Sequence, residues 1–236
     1  MKRLTEHGLK AITVSIDDFY MPHSEFQARK QTSPTLTLHH GRGLPGTHDI
    51  ALGLHVLSSL KQGIFPVRIP RYDKSAYNGV GDRCPESEWL SVQDCRDVVL
   101  FEGWMLGFRS ITNASRLQTV ADDFRVSIEQ VEAINHHLQS YQEHWYPSLD
   151  AFVHLDTQDI NIVYAWRLQQ EQDLRQHSGK QCMADEEVKH FVDRFMICYR
   201  LYWPNLSLQP QSILSADRQH RCMQICIDAN RQLIAK

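Results

Sequence analysis

Between Asp97 and Phe108 the chain reads Asp-Val-Val-Leu-Phe-Glu-Gly-Trp-Met-Leu-Gly-Phe. Residues 98–101 form an unbroken apolar run, which is too short to cross a membrane and is typical of a strand buried on both faces of a sheet. Glu102 ends this run just before Gly103. Because open α/β folds bind their ligands at the carboxyl ends of the strands, Glu102 is a candidate site residue. The alternative is a solvated Glu that begins an ordinary loop.

A second strand of this kind is predicted at residues 11–16, Ala-Ile-Thr-Val-Ser-Ile, which are rich in β-branched side chains. Asp17 and Asp18 follow it directly. If the two strands are neighbours in a parallel sheet, their ends meet at one edge, and Asp17 lies near Glu102. Such a pair of carboxylates attracts a divalent cation. Capping of a helix or turn is the alternative role of the two aspartates.

Helices and strands alternate along the whole chain. Further helices are predicted over residues 1–7, 50–62, 127–141, 160–175 and 185–203, and further strands over residues 67–70, 151–155 and 222–227. Residues 25–38 are polar, show no periodicity and are expected to be irregular. The alternation predicts an α/β fold with a mainly parallel sheet flanked by helices.

The composition excludes several classes of function. The 236 residues are 42% hydrophobic and 22% charged, with a formal net charge of -3, so the chain offers no basic surface for nucleic acid or acidic lipid. No apolar run could span a bilayer, and residues 5–7 interrupt any signal peptide. The six cysteines form no Cys-x-x-Cys pair, so we expect reduced thiols and no zinc site. We therefore expect a cytoplasmic protein.

Two loops carry residues that could contact a ligand. Residues 41–49 are rich in glycine but lack the Gly-Lys-Ser/Thr of a phosphate loop. In this loop Thr47 or Asp49 could cap the next helix, or Asp49 could accept hydrogen bonds from ligand hydroxyls. Residues 71–83 contain Arg71, Lys74 and Arg83 and little apolar content, which suits a small anion such as a carboxylate or phosphate. The alternative is a solvated charged loop.

The helices at 160–175 and 185–203 are expected to form a hairpin joined by a polar turn. If this hairpin swings, Arg167 and Arg175 could close over a phosphate. Ion pairing with Glu171 is the alternative role of these arginines.

Several motifs of the chain occur in the order found in a known family. They lie at residues 15–20, 43–49, 70–76, 81–83, 101–108 and 164–171. In this respect the chain closely resembles the D-glycerate 3-kinase family, which belongs to the P-loop kinases near uridine kinase and phosphoribulokinase. The resemblance implies ATP-dependent, Mg²⁺-assisted phosphorylation of D-glycerate to 3-phosphoglycerate. It also implies a single P-loop kinase-like domain over residues 1–236, a three-layer sandwich with a lid-like hairpin at about 164–203.

The resemblance further implies roles for individual residues. Asp17 matches the family position of the base that also helps to hold Mg²⁺, and Glu102 matches the acid at the end of the Walker-B-like strand. The residues that would anchor the glycerate carboxylate are Arg71, Tyr72, Lys74 and Arg83. Asp49 would bind the glycerate hydroxyls, and Arg167 with Arg175 would form the lid.

In one respect the chain departs from the family pattern. The family begins with a strand and a Gly-x-x-x-x-Gly-Lys-Ser/Thr loop ahead of the strand at residues 11–16, and the chain starts too late to contain either. We expect upstream codons to encode them. The alternative is a degenerate, non-catalytic homologue that binds a small hydroxy acid or a protein partner. A third possibility is a related kinase that acts on another small polyol or acid.

Overall fold

The computed structural model describes residues 2–32, 41–178 and 183–234, and it has a mixed α/β architecture. The helices are α1 (Lys2–Glu6), α2 (His23–Thr32), α3 (Ile50–Gln62), α4 (Ala114–Phe124), α5 (Ile128–His144), α6 (Ile162–Ser178) and α7 (Asp185–Leu208). The strands are β1 (Ala11–Ser15), β2 (Val67–Ile69), β3 (Tyr72–Asp73), β4 (Asp82–Arg83), β5 (Leu90–Val92), β6 (Val98–Glu102), β7 (Phe152–Thr157) and β8 (Cys222–Ile227).

The chain divides into two compact units. The first comprises Met1–Ser110 and Glu132–Leu149, and the second comprises Ile111–Val131 and Asp150–Lys236. Each unit contains one parallel strand pair, β1–β6 in the first and β7–β8 in the second, while β2–β5 and β3–β4 pair antiparallel. No helix of the described ranges is long and apolar enough to span a bilayer.

The pairing of β1 with β6 confirms that these two strands are parallel neighbours. Ala11 lies opposite Val98, and Ser15 lies opposite Glu102. The prediction that β6 is buried on both faces is wrong, because Leu100 is 40% exposed. Side chains alternate between the two faces of a strand. Phe101 packs against Trp145 on the other face, with 5.7 Å between ring centroids, whereas the face of Leu100 remains partly open to solvent.

The segment predicted to be irregular at residues 25–38 begins instead as helix α2, and residues 33–38 lie outside the described part of the chain. The sequence of α2, His-Ser-Glu-Phe-Gln-Ala-Arg-Lys-Gln-Thr, has no apolar stripe by which it could be recognised. An ion pair between two residues one helical turn apart supports α2, with Arg29 Nη2 at 2.7 Å from Glu25 Oε1.

Helix α3 forms where it was predicted, and Asp49 rather than Thr47 caps its start. The Leu52 amide donates to Asp49 Oδ1 over 3.0 Å, and the helix ends at Gly63 with φ of 71°. Thr47 is used inside the preceding loop, where its hydroxyl accepts from the Gly43 amide and donates to the Leu44 carbonyl.

The core of the first unit is built around Trp145, which follows α5 and is fully buried. Its ring lies 4.8 Å from the Tyr141 ring and 5.6 Å from the Phe19 ring between centroids. The indole Nε1 donates to the Ile50 carbonyl over 3.1 Å at the start of α3. These contacts fix the segment after β1 relative to α3 and α5.

The second unit packs α6 against α7 around a cluster formed by Ile160, Val192 and Met196. A buried carboxylate, Asp156 at the end of β7, accepts hydrogen bonds from the side chains of Trp203, Ser207 and Gln224. Every oxygen of this buried charge therefore has a donor, as a buried charge requires.

Helix α5 begins with a capping box. The Ser127 amide donates to Gln130 Oε1 over 3.0 Å, and the Gln130 amide donates to Ser127 Oγ over 3.3 Å. Five of the six cysteines are free thiols, and Cys182 lies outside the described residues.

Candidate functional site

The acidic residues predicted at the ends of β1 and β6 lie at one edge of the first unit. Asp17 and Asp18 occupy a single 3-10 turn, Ile16–Phe19, directly after β1, and the Ser15 hydroxyl accepts from the Asp17 amide over 3.3 Å. Ser15 is the residue opposite Glu102 in the strand pair. The parallel register thus places the three carboxylates at the same strand ends, with Glu102 exposed to solvent.

The loop that contains Asp49 runs alongside the segment that follows this turn. Tyr20 and His48 form an isolated antiparallel bridge, and the Asp49 amide donates to the Phe19 carbonyl over 2.7 Å. The Met21 amide donates to the Thr47 carbonyl over 3.0 Å. These backbone bonds place Asp49 beside the turn that carries Asp17.

The cationic loop is a short hairpin of β3 and β4 that reaches the acids. Arg71 Nη1 lies 3.1 Å from Asp18 Oδ2, and Lys74 Nζ lies 2.6 Å from Asp17 Oδ2. Burial raises the pKa of Asp18, and the charge of Arg71 partly offsets that shift. Two of the three predicted cations therefore contact the two aspartates at the end of β1.

The third cation, Arg83, is more enclosed than the other two. Its guanidinium donates to Asp49 Oδ2 through Nη1 and Nη2, each over 3.2 Å, and to the Tyr20 carbonyl over 2.8 and 3.1 Å. The Asp49 carboxylate accepts from Arg83 while it also caps α3. Arg83 therefore ties the Asp49 loop to the segment after β1.

Tyr20 belongs to this site but was not predicted. The side chain is 4% exposed, its ring stacks on His48 with 4.4 Å between centroids, and it makes an edge contact with Tyr72 at 5.1 Å. Burial and a hydrogen bond from its hydroxyl to Asp17 raise the pKa of Tyr20 well above 10, and burial raises the pKa of Tyr72 to about 12. Both phenols are therefore neutral donors at physiological pH.

Arg42 is a second site residue that was missed, and it holds the cationic hairpin to the glycine-rich loop. Its guanidinium donates to the carbonyls of Gly79 over 2.8 Å, of Lys74 over 3.3 Å and of Val80. It also lies over the Tyr72 ring, 5.5 Å from the centroid. A run of glycines beside an arginine was the only signal of this contact in the sequence.

The two predicted lid arginines lie in the second unit, on α6. Arg167 pairs with the buried Glu171 one turn along the helix, which is the alternative role stated for it. Arg175 donates to the Met183 carbonyl and lies 2.7 Å from Asp185 Oδ1. The contacts of Arg175 join α6 to the start of α7. Contact of either arginine with a phosphate stays a prediction.

The predicted magnesium ligands fit a cation that is shared with a substrate. Mg²⁺ is usually held by one or two carboxylates together with waters and phosphate oxygens, rather than by a full protein cage. Asp17 and Glu102 supply two carboxylates at neighbouring strand ends. Among the described residues, no group of three or more His, Cys, Asp or Glu could hold a metal ion by itself.

Together these residues can bind a small anion and orient its hydroxyl groups. The edge presents carboxylates that accept hydrogen bonds from hydroxyls, and cations that pair with a carboxylate or phosphate. These charges suit a small molecule that carries both an anionic group and hydroxyls. A cavity of about 330 Å³, lined in part by His48, Asp49, His137 and Tyr141, lies on another side of the Asp49 loop and includes none of the hairpin cations.

The chain is similar in sequence to known kinases. No family model matches the chain. It is 38% identical over 229 residues to D-glycerate 3-kinase, chloroplastic, of Arabidopsis thaliana, covering 95% of the chain and 47% of that protein. It is 38% identical over 196 residues to the probable ATP-dependent kinase TDA10 of Saccharomyces cerevisiae, covering 80% of the chain and 64% of that protein. The chain thus spans about half of the plant relative and less than two thirds of the yeast one.

A solved structure resembles the chain over nearly its whole length. The D-glycerate 3-kinase from Cryptococcus neoformans var. grubii superposes with a TM-score of 0.87 at 32% identity, covering 99% of this chain and 82% of that one. This likeness in sequence and structure confirms the resemblance that the motifs indicated. The chain belongs to the D-glycerate 3-kinase family.

Proposed function

We propose that the protein transfers the γ-phosphoryl group of ATP to D-glycerate, forming 3-phosphoglycerate and ADP. The relatives support this proposal by their names, since one is a D-glycerate 3-kinase and another a probable ATP-dependent kinase. The observation that carries it is the pairing of carboxylates with cations at the ends of β1 and β6. An acceptor with both a carboxylate and hydroxyl groups matches this mixture of charges.

In the proposed reaction Asp17 is the base. As the acceptor hydroxyl oxygen forms its bond to the γ-phosphorus, the bond from that phosphorus to the β–γ bridging oxygen breaks, and ADP leaves. The hydroxyl proton passes to the Asp17 carboxylate. Ser15 and Tyr20 hold this carboxylate in place through the contacts to its amide and to its side chain.

The remaining residues of the site would bind the acceptor. Cations of the hairpin and the Tyr72 hydroxyl would contact its carboxylate. The group comprises Arg71, Tyr72, Lys74 and Arg83. Asp49 would accept hydrogen bonds from the glycerate hydroxyls, because its carboxylate lies at the start of α3 beside the Tyr20 segment.

The nucleotide side of the reaction is proposed from the family. Asp17 and Glu102 would hold Mg²⁺, which when bound neutralises charge on the nucleotide phosphates. Arg167 and Arg175 would act from a lid-like hairpin of α6 and α7, within a P-loop kinase three-layer sandwich. Their present partners, Glu171 and Asp185, would then be exchanged for phosphate oxygens.

The proposal is tested by measuring ADP release by the full-length protein with D-glycerate as the acceptor. We expect release that depends on D-glycerate, and Asp17→Asn should lower kcat by about 10²- to 10⁴-fold because the base is lost. Asp94→Asn is the matched control. Asp94 also pairs with a lysine in the same unit, Lys10 at 2.8 Å, but both side chains are exposed.

Three results are informative. Loss of turnover in Asp17→Asn, with the control unchanged, supports the proposal. Binding of D-glycerate without turnover in the wild type favours the non-catalytic alternative. Turnover of other small polyols or acids at the same efficiency would contradict the assignment of D-glycerate.

A further inference from the structure

The ion pairs of the site differ greatly in how firmly they are held. Arg83 has a side chain only 12% exposed and makes four hydrogen bonds, to Asp49 and to the Tyr20 carbonyl. Lys74 has a side chain 59% exposed and makes one close contact, to Asp17. Exposed pairs with a single contact are weak, because water competes for both charges and the lysine side chain loses rotamer freedom.

The backbone on either side of the Lys74 contact is fixed. Arg42 donates to the carbonyl of Lys74 itself and to that of Gly79, so the hairpin is held at both ends of its turn. Asp17 is held by its hydrogen bonds with Ser15 and Tyr20. The lysine side chain can therefore leave Asp17 without moving either the hairpin or the carboxylate.

We propose that Lys74 changes partner when the acceptor binds, leaving Asp17 for the acceptor carboxylate. This inference rests on the proposed function and adds the order of events at the site. The exchange is a change of ion-pair partner only, in which no covalent bond is made or broken. Arg83, by contrast, would contact the acceptor carboxylate while its guanidinium keeps its hydrogen bonds to Asp49.

The exchange makes the charge of the acceptor part of the specificity. A hydroxy acid supplies a new partner for Lys74, whereas an uncharged polyol such as glycerol supplies none. With glycerol the ammonium stays paired with Asp17. Discrimination between D-glycerate and glycerol should therefore depend on Lys74.

A double-mutant cycle on acceptor binding tests the exchange without relying on turnover. Titrations monitored by ligand-observed NMR would give the affinity for D-glycerate of four proteins: the wild type, Asp17→Asn, Lys74→Met and the double variant. In the wild type D-glycerate must displace Asp17 from Lys74. We therefore expect Asp17→Asn to increase the affinity for D-glycerate. This increase should be about two- to fivefold larger when Lys74 is present than in the Lys74→Met background.

Two further measurements complete the test. Lys74→Met should weaken D-glycerate binding about ten- to a hundredfold and change glycerol binding by less than about twofold, since only the acid uses the ammonium. The matched pair Asp94→Asn and Lys10→Met should leave both affinities unchanged, because this exposed pair lies outside the site. Thermal unfolding of each variant would verify that it folds.

The outcomes separate the two proposals. If D-glycerate binds the wild type but Asp17→Asn has the same effect on both backgrounds, the exchange is overturned and the proposed function stands. If the wild type binds no D-glycerate at all, the proposed function fails and the exchange fails with it.

Discussion

At Gly53, near the start of α3, the absence of a side chain is a requirement of packing. A Cβ built there would lie 2.5 Å from Cζ2 of Trp145, whose ring is fully buried and held by its hydrogen bond to Ile50. The indole cannot move aside without disturbing the core of the first unit. Helix propensity alone would favour Ala at this position by about 1 kcal/mol.

We expect Gly53→Ala to lower the free energy of unfolding by about 1–2 kcal/mol, because overpacking a closed core costs about 1–3 kcal/mol and exceeds the gain in helix propensity. Urea denaturation of the wild type and the variant would measure this difference. His55→Ala, at an exposed position of the same helix, is the control and should change little. An increase in stability for Gly53→Ala would contradict the packing argument.

The residues of the candidate site show which contacts a sequence can indicate. Asp17 and Glu102 were placed at neighbouring strand ends because acids that follow apolar runs are a local signal, and the register of β1 with β6 agrees. Tyr20 and Arg42 were missed because their partners come from distant segments. The Arg42 guanidinium contacts the Lys74 carbonyl, 32 residues away, and no periodicity or spacing encodes such a contact.

Among the elements, α2 and α4 were not predicted, for different reasons. Helix α2 is polar on all sides, so the period of its apolar residues carries no signal. Helix α4 does carry a signal that could have been used. Its buried residues Leu117, Val120 and Ala121 follow a helical spacing, and Asn113 stands before it at the position of an N-cap.

The cap of α4 gives a prediction at this scale. Asn113 Oδ1 accepts from the Arg116 amide over 3.0 Å, which satisfies one of the amides left free at the start of a helix. We expect Asn113→Ala to lower the free energy of unfolding by about 1 kcal/mol. Chemical denaturation monitored by circular dichroism would measure this loss of stability.

Asn113→Ser is the matched control for this cap, because Ser accepts the same hydrogen bond and is about as good an N-cap as Asn. It should retain nearly the stability of the wild type. Equal losses in Asn113→Ala and Asn113→Ser would mean that the amide side chain acts through some contact other than the cap.

At the scale of the whole molecule, each of the two compact units contains a histidine that is at least partly buried, His137 in the first and His154 in the second. Burial lowers the pKa of His137 in the first unit, and the nearby charges of His136 and Arg29 lower it further. Burial also lowers the pKa of His154 in the second unit, and Asp156 partly opposes this shift. Both histidines therefore resist protonation in the folded state more than in the unfolded chain.

This difference sets the sign of the pH dependence. Well above pH 6.5 both histidines are neutral in the folded and unfolded states, so they contribute no pH dependence. Below pH 6.5 the unfolded chain binds protons that the folded state does not, and stability falls as the pH is lowered toward the folded-state pKa. Each histidine can contribute at most about 1.4 kcal/mol per pH unit to this slope.

We expect the free energy of unfolding, measured with urea, to decrease as the pH is lowered from 7.5 to 5.5. The decrease should be smaller in His154→Leu than in the wild type. The ring lies on β7, is 6% exposed, and its Nδ1 has no hydrogen-bond partner among the described residues, so the variant removes the titrating group without breaking a bond to Nδ1. Val153→Ala, an exposed neutral change on the same strand, should keep the wild-type slope. If His154→Leu also kept the full slope, the acid sensitivity would have to come from other groups, with His137 in the first unit the next to be replaced.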